Sequence, residues 1–431
     1  MNKKTIESYL NKIITLIVIL FPYLLIKNSG ALKTLEHLLF LFVILKIILK
    51  KEFYINKNIK RILILLFIMF GSIFISLQPN GNDSLTIIRY MIMYFSLMLL
   101  LSQVELSEKN LKCINISFVI SSLLLLLFSW YKFYEIKFVL TRRFSAGFDI
   151  FIFGYIVSTF ILFHLIEYIK SREIKLFEIL NLLLILAYVP LLIANGSRMN
   201  WISLALLFII IVILNFDLKK IIVMITMSLA LGILIPNENF NQIKSRISSI
   251  VSTSNSSNTV RAEIFKNSLK IFERYPFIGG GFRNYKNNSI EINKDEKYLE
   301  YFDLESKEIK KWPKDRKLRD EIYAYFYHGH SHNNFLDMLH GTGIIGSASY
   351  ILIFIFVGIE LFQRWIKNKK NKWLELALIM VVFLQLTGLT DTTLHMRRIN
   401  EIVLFFVGIG LSKTFDRKEL KKEENNDDKE N

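Results

Sequence analysis

The stretch "GHSHNNFLDMLHGTGIIGSASYILIFIFVGIELF", residues 329–362, passes from a histidine-rich polar segment straight into an apolar run. A helix needs about 20 apolar residues to cross a bilayer. The run that begins at Gly343 meets that length, and similar runs of roughly 17–22 residues recur along the chain, separated by short charged clusters. With 52% hydrophobic residues in 431, the composition points to an all-α integral membrane protein with about twelve transmembrane helices. Their expected positions are 10–26, 31–49, 62–78, 85–102, 113–131, 150–169, 177–194, 199–216, 219–236, 343–363, 374–391 and 399–412.

Spacing divides the chain into four parts. Residues 1–236 hold transmembrane helices 1–9, 237–341 form one large loop domain between spans 9 and 10, 342–413 hold helices 10–12, and 414–431 are a charged tail without a core-forming pattern. Within the loop, "TVRAEIFKNSLKIFERYP" (259–276) has apolar residues at helical spacing, ended by Pro276, and "FIGGGFRNY" (277–285) is a glycine turn. The N-terminal run lacks a small-residue cleavage site and is taken as a retained helix.

Orientation follows the positive-inside rule. The basic connections "LKKEFYINKNIKR" (49–61), "KSREIK" (170–175), "DLKK" (217–220) and "QRWIKNKKNKW" (363–373) all fall on one side. Taking that side as the cytoplasm puts both termini inside and the large loop outside. The net charge of +17 is accounted for by these loops and by anionic lipid headgroups, without nucleic acid. The single cysteine, Cys113, excludes an intramolecular disulfide and a cysteine metal site.

Chemistry is expected where polar residues break these rules. Arg142 and Arg143 in "TRRFSAGFD", Arg198 in "NGSRMNW", and Arg261 at the start of the loop helix all lie on the outer side. A guanidinium keeps its charge and offers a planar fork that suits phosphate. Four of the seven histidines, His328, His330, His332 and His340, gather before the tenth span. Spacing places His332, Leu336, Leu339 and Gly343 on one helical stripe, with Gly343 and Gly346 open to a packed neighbour. The alternation of His328, His330 and His332 lacks a spaced carboxylate or cysteine, so no metal is assigned, and His328, His330 and His340 are assigned to surface or packing. Asp337 lies off the stripe, as a solvated residue. Asp391 either helps bind sugar or pairs with Arg397 or Arg398.

From Arg143 to Gly346 the chain resembles the superfamily of O-antigen ligases and O-antigen polymerases. The resemblance rests on "GSR" (196–198), "RAEIFKNSLKIFERYPFIGGGFRNY" (261–285) and the spacing His332-Asn333-x9-Gly343-x-x-Gly346. The segment "RRFSAGFDIF" lacks the Pro-Asn pair frequent in relatives. The resemblance implies a cofactor-free glycosyltransferase of the cytoplasmic membrane that moves a glycan from undecaprenyl diphosphate to an acceptor hydroxyl outside. The acceptor would be a lipid or glycan, such as a lipid A core. It implies His332 as the catalytic residue, with Arg198, Arg261, Arg143 and Asn333 binding the diphosphate or substrate. The residues agree: there is no Gly-rich phosphate loop with Lys-Ser/Thr, and arginines facing a lipid diphosphate leave only a base to be supplied. A polymerase fits the same pattern. A glycolipid flippase is the alternative of another class, although the spans show no repeat symmetry and little mid-span charge.

Overall fold

The computed structural model describes residues 3–26, 30–50, 53–77, 82–138, 143–170, 175–215 and 256–415, with four further positions between 244 and 248. Among the described residues, eight helices precede the large loop: α1 (Lys3–Ile26), α2 (Gly30–Lys50), α3 (Lys57–Ile75), α4 (Asn82–Ser102), α5 (Glu108–Glu135), α6 (Ile150–Lys170), α7 (Lys175–Asn195) and α8 (Arg198–Asn215). The loop carries α9 (Ser256–Arg274), α10 (Tyr285–Ile292), α11 (Glu296–Leu299) and α12 (Arg316–Ile322), and α13 (Asn334–Lys367), α14 (Lys372–Gly388) and α15 (Arg397–Gly410) follow. A two-residue antiparallel pair, Phe302 to Ile309 and Asp303 to Glu308, is the sheet content of the described residues.

Local sequence sets the helix starts. Asn56, Ser107, Asn333 and Asp315 each accept a hydrogen bond from the backbone N–H three residues on, capping α3, α5, α13 and α12. Eight helices, α1, α3 to α8 and α13, are long and apolar enough to cross a membrane. Their outward residues are apolar, with Phe67 81% and Leu176 74% exposed, which suits lipid and not water. The protein is a multi-pass membrane protein.

The expected twelve spans are corrected in part. Helices form at eleven of the twelve positions, and the ninth, 219–236, lies outside the described residues, as does the tail from 416. Helix α2 carries Lys33, Glu36 and Lys46 along its length, α14 has 17 residues and α15 only 14. These three are not among the helices that meet the length and composition of a span. The reason is visible in α15, where every residue from Ile399 to Gly410 is buried. A Cβ at Gly408 would sit 2.6 Å from the Leu101 side chain of α4, and one at Gly410 2.7 Å from Ala377 of α14. This helix packs against protein and does not need to match a lipid thickness.

Gly343 divides α13. Its backbone has φ 65° and ψ −166°, in the middle of 34 otherwise helical residues, a conformation essentially confined to glycine. The polar groups around this break are taken up by the glycine turn. The N–H groups of Gly280 and Gly281 donate to the carbonyls of His340 and Gly341 at 2.8 and 3.1 Å, and Ile344 N–H donates to Pro276 at 2.8 Å. A Cβ at Gly343 would lie 2.3 Å from the Phe277 carbonyl, so glycine is also needed for the approach. Beyond the break, α3 lies along α13, with Ser72 3.1 Å from where a Cβ of Gly346 would be. Residues 256–327 have a hydrophobic cluster of their own, built on Ile264, Ile271, Tyr285, Phe302 and Ile322.

The two faces of the helix bundle differ. On the face with the basic connections, Lys170 pairs with Glu375 at 2.8 Å, Lys372 with Glu167 at 2.6 Å, and Arg364 with Glu360 at 2.8 Å. The opposite face carries the loop domain and the histidines.

Candidate active site

The strap His328–Asn333 joins the loop domain to α13, and its conformation is fixed by polar contacts from both ends. Asp337, on the first turn of α13, accepts from the Ser331 N–H and hydroxyl at 3.1 and 3.0 Å. Asn333 caps the helix through its oxygen, and its amide donates to the Leu389 carbonyl at 2.7 Å. Asn334 donates to Thr393 at 2.7 Å and accepts from Leu394 N–H at 3.0 Å. These bonds tie the strap to the turn 389–395. His332 is thereby held at φ 49°, a left-handed conformation uncommon for a residue other than glycine and often associated with function.

His332 therefore lies outside the helix, which begins at Asn334, and the expected stripe from His332 to Gly343 does not form. Its Nδ1 is 3.4 Å from Asp391 Oδ1 and its Nε2 3.2 Å from His328 Nδ1. Burial pushes the Asp391 carboxyl upward, but the hydrogen bond and charge of His332, with Arg261 and His330, outweigh it and hold the group below the ordinary carboxylate value. Asp391 thus faces the histidines instead of Arg397, which pairs with Glu36 and Glu401. Burial first, and then the charge of His332, pushes His328 down to about 4 and His330 to about 3. Both are neutral at pH 7. His330 Nδ1 accepts from the His332 N–H at 3.3 Å.

Behind this layer lies a second one. Asp337 is 1% exposed rather than solvated, and its Oδ2 is 2.7 Å from His395 Nε2. Arg283 donates to His395 Nδ1 at 2.9 Å. A guanidinium can only donate, so Nδ1 is the unprotonated nitrogen and the ring proton sits on Nε2, toward Asp337. Burial, with Arg283 nearby, lowers the His395 pKa and keeps the ring neutral.

A cavity of about 550 Å³ opens beside the strap, lined by His332, His328, Arg261, Tyr323, Trp312 and Asp320 among others. Two of the sequence-predicted residues, His332 and Arg261, therefore share one cavity. Arg198 reaches its edge, where it donates to Ser257 Oγ at 3.4 Å, and Ser257 lines the cavity. Arg143 lies elsewhere: it donates to the Asn195 carbonyl at 3.1 Å and its guanidinium stacks 5.2 Å from the Phe151 ring. Arg142 is outside the described residues. Asn333 is occupied as a helix cap. His328, assigned to surface or packing, lines the cavity and touches His332; its position four residues before His332 was the available signal. Among the described residues no group of three His, Cys, Asp or Glu side chains could hold a metal ion.

Residues 182–351 match the O-antigen ligase family model. The matched stretch runs from the middle of α7 to Ile351. It contains Arg198, Arg261 and the whole strap, and ends before Asp391 and His395. The family implies a membrane glycan transferase acting on lipid-linked glycans. A comparison with curated proteins gave no match.

Proposed function

We propose that the cavity transfers a glycan from undecaprenyl diphosphate to an acceptor hydroxyl on the outer face of the cytoplasmic membrane, with the loop domain and active site extracytoplasmic. One observation carries this: a cationic guanidinium and a carboxylate-backed imidazole, Arg261 and His332, line the same cavity within an O-antigen ligase domain. Separation of the basic connections from this cavity supports the orientation.

Asp391 on Nδ1 holds the His332 proton on that nitrogen and leaves the lone pair on Nε2, where it faces His328 Nδ1 at 3.2 Å and the acceptor hydroxyl takes that partner's place. This is the arrangement of an oriented general base. The acceptor O–H gives its proton to Nε2 as the oxygen bonds to the anomeric carbon. The bond from that carbon to the diphosphate breaks, and its electron pair leaves with the phosphate oxygen. Arg261, with Arg198 behind Ser257, offsets the charge that develops there. Attack opposite the leaving group inverts the anomeric configuration. Ligase and polymerase share these steps and differ in the acceptor.

The test uses the purified protein in vesicles without an ion gradient, lipid-linked glycan as donor, and undecaprenyl diphosphate release as the readout. His332→Ala should reduce turnover by about 10²–10⁴-fold, and Arg198→Lys and Arg261→Ala should each reduce it with expression retained. Near-normal turnover in His332→Ala would reject the base. In a deletion strain, loss of all capped chains indicates a ligase and single-repeat capping a polymerase.

A further inference from the structure

The cavity has a second wall that the transfer chemistry leaves unused. Trp312 stands in the loop between the small sheet and α12 and is 47% exposed among the described residues. Its ring lies 5.8 Å from that of Tyr323, tilted by 40°. Tyr323 in turn meets His328 edge to face at 4.8 Å. Beside this pair lies Asp320, 8% exposed. Its Oδ2 accepts from the Thr259 hydroxyl at 2.7 Å, and its other oxygen accepts no hydrogen bond from the described residues. Trp312, Tyr323 and Asp320 all line the cavity.

We infer that this wall is a carbohydrate subsite that holds the acceptor sugar. The inference rests on the transferase proposed above. A pyranose ring presents an apolar face of C–H bonds and an edge of hydroxyls. The tilted aromatic pair suits the face, and the open carboxylate oxygen suits the edge, as pockets that orient a ligand combine aromatic walls with few placed polar groups. Position decides between donor and acceptor. Tyr323 touches His328, and His328 touches the Nε2 of His332, the nitrogen that takes the acceptor's proton. Tyr327 already stacks on Tyr323 at 4.6 Å, so a sugar ring held against the exposed face of Trp312 has its hydroxyl edge toward Tyr323, His328 and the base, whereas the donor's phosphates belong with Arg261.

Two measurements test the subsite on the full-length protein in phosphatidylethanolamine and phosphatidylglycerol nanodiscs. The first needs no turnover: tryptophan fluorescence is followed while titrating oligosaccharide released by mild acid from the host cell's own envelope glycans. Saturable quenching in the wild type that disappears in Trp312→Phe supports the subsite, and its absence in the wild type overturns it. The second is kinetic. Trp312→Ala and Asp320→Asn should raise the acceptor KM about tenfold or more, with kcat and donor KM within about twofold, while Trp312→Phe retains most affinity. Because Trp312 is exposed, its removal spares the fold. An unchanged acceptor KM in both variants, as expected if Trp312 only anchors the domain to headgroups, overturns the subsite while the transferase stands. Wild-type protein that quenches but never releases undecaprenyl diphosphate rejects the transferase and keeps the subsite.

Discussion

The two ends of α13 bury charged residues in opposite ways. At its C-terminal end Arg364 donates to Glu360, to Tyr54, and to the carbonyls of Gly410 and Ser412. Glu360 also accepts from Asn56 and Asn58 at 2.6 and 2.7 Å, and Trp365 donates to Glu375. At its N-terminal end, both His340 ring nitrogens and Arg283 Nε have no hydrogen-bond partner among the described residues, and His332 and Arg283 hold left-handed backbone conformations uncommon outside glycine. Charges buried to hold helices together are saturated with partners, since each unmet one is costly. Groups kept for chemistry retain unfilled capacity, and the surrounding fold bears the cost.

The largest effect that could break this contrast is at the saturated end. Arg364→Ala leaves Glu360 buried without its cation, and removal of one partner of a buried pair typically costs about 3–5 kcal/mol. The expected outcome is a sharp fall in yield and thermal stability, with turnover per folded molecule unchanged. Intact stability would mean that the clamp is ornamental. Reduced turnover at normal stability would mean that the two ends communicate.

Gly343→Ala should be milder and act at the other end. Forcing alanine into this backbone region costs about 1–3 kcal/mol, and its Cβ meets the Phe277 carbonyl. The Pro276–Ile344 and Gly281–Gly341 bonds should loosen, so transfer should fall while membrane insertion persists. Hydrogen exchange at Ile344 and Gly281 checks the cause. Unchanged exchange and activity would show that the helix break is not what positions the strap.

The contrast also explains what could be seen before any coordinates. Span cores were legible because length and hydropathy are local properties, but the helix expected from Gly343 begins earlier, at Asn334, and breaks at Gly343. The stripe from His332 does not form. A helical spacing rule cannot register that Ser331 and Asn333 bond to Asp337 and Leu389 and so hold His332 in a left-handed turn. Asp337, expected to be solvated, is buried, and Asp391 does not take the Arg397 partner it was offered, because Ser331, His395 and His332 reach them from the strap and the turn 389–395. His332 and Arg261, singled out because an arginine and a histidine beside a span break the rules of composition by themselves, line one cavity. Arg143 broke the same rule, and in the structure it contacts Asn195 and Phe151 and is not among the residues that line the cavity.

The smallest expected effect separates the two ends by pH. His328 and His330 are neutral in the fold, with pKa values down to about 4 and about 3, against about 6.5 in an open chain. Below about pH 6.5 the open strap binds protons that the closed strap does not, so the closed form loses stability as pH falls from 6.5 through 4 toward 3. Above 6.5 the contribution is fully present and constant. His330 is repelled by His332 and His395 and attracted by Asp337 and Asp391, and its lowered value already includes both, so the response is expected to be local to the strap. Hydrogen exchange of Ser331 and His332 N–H should quicken over that range, while Arg364 and Trp365 at the other end, where no histidine lies in contact, should not respond. In His328→Gln the acid sensitivity should shrink and leave the share due to His330. Equal pH response at both ends would show that acid opens the whole bundle and that the histidine strap has no special part in it.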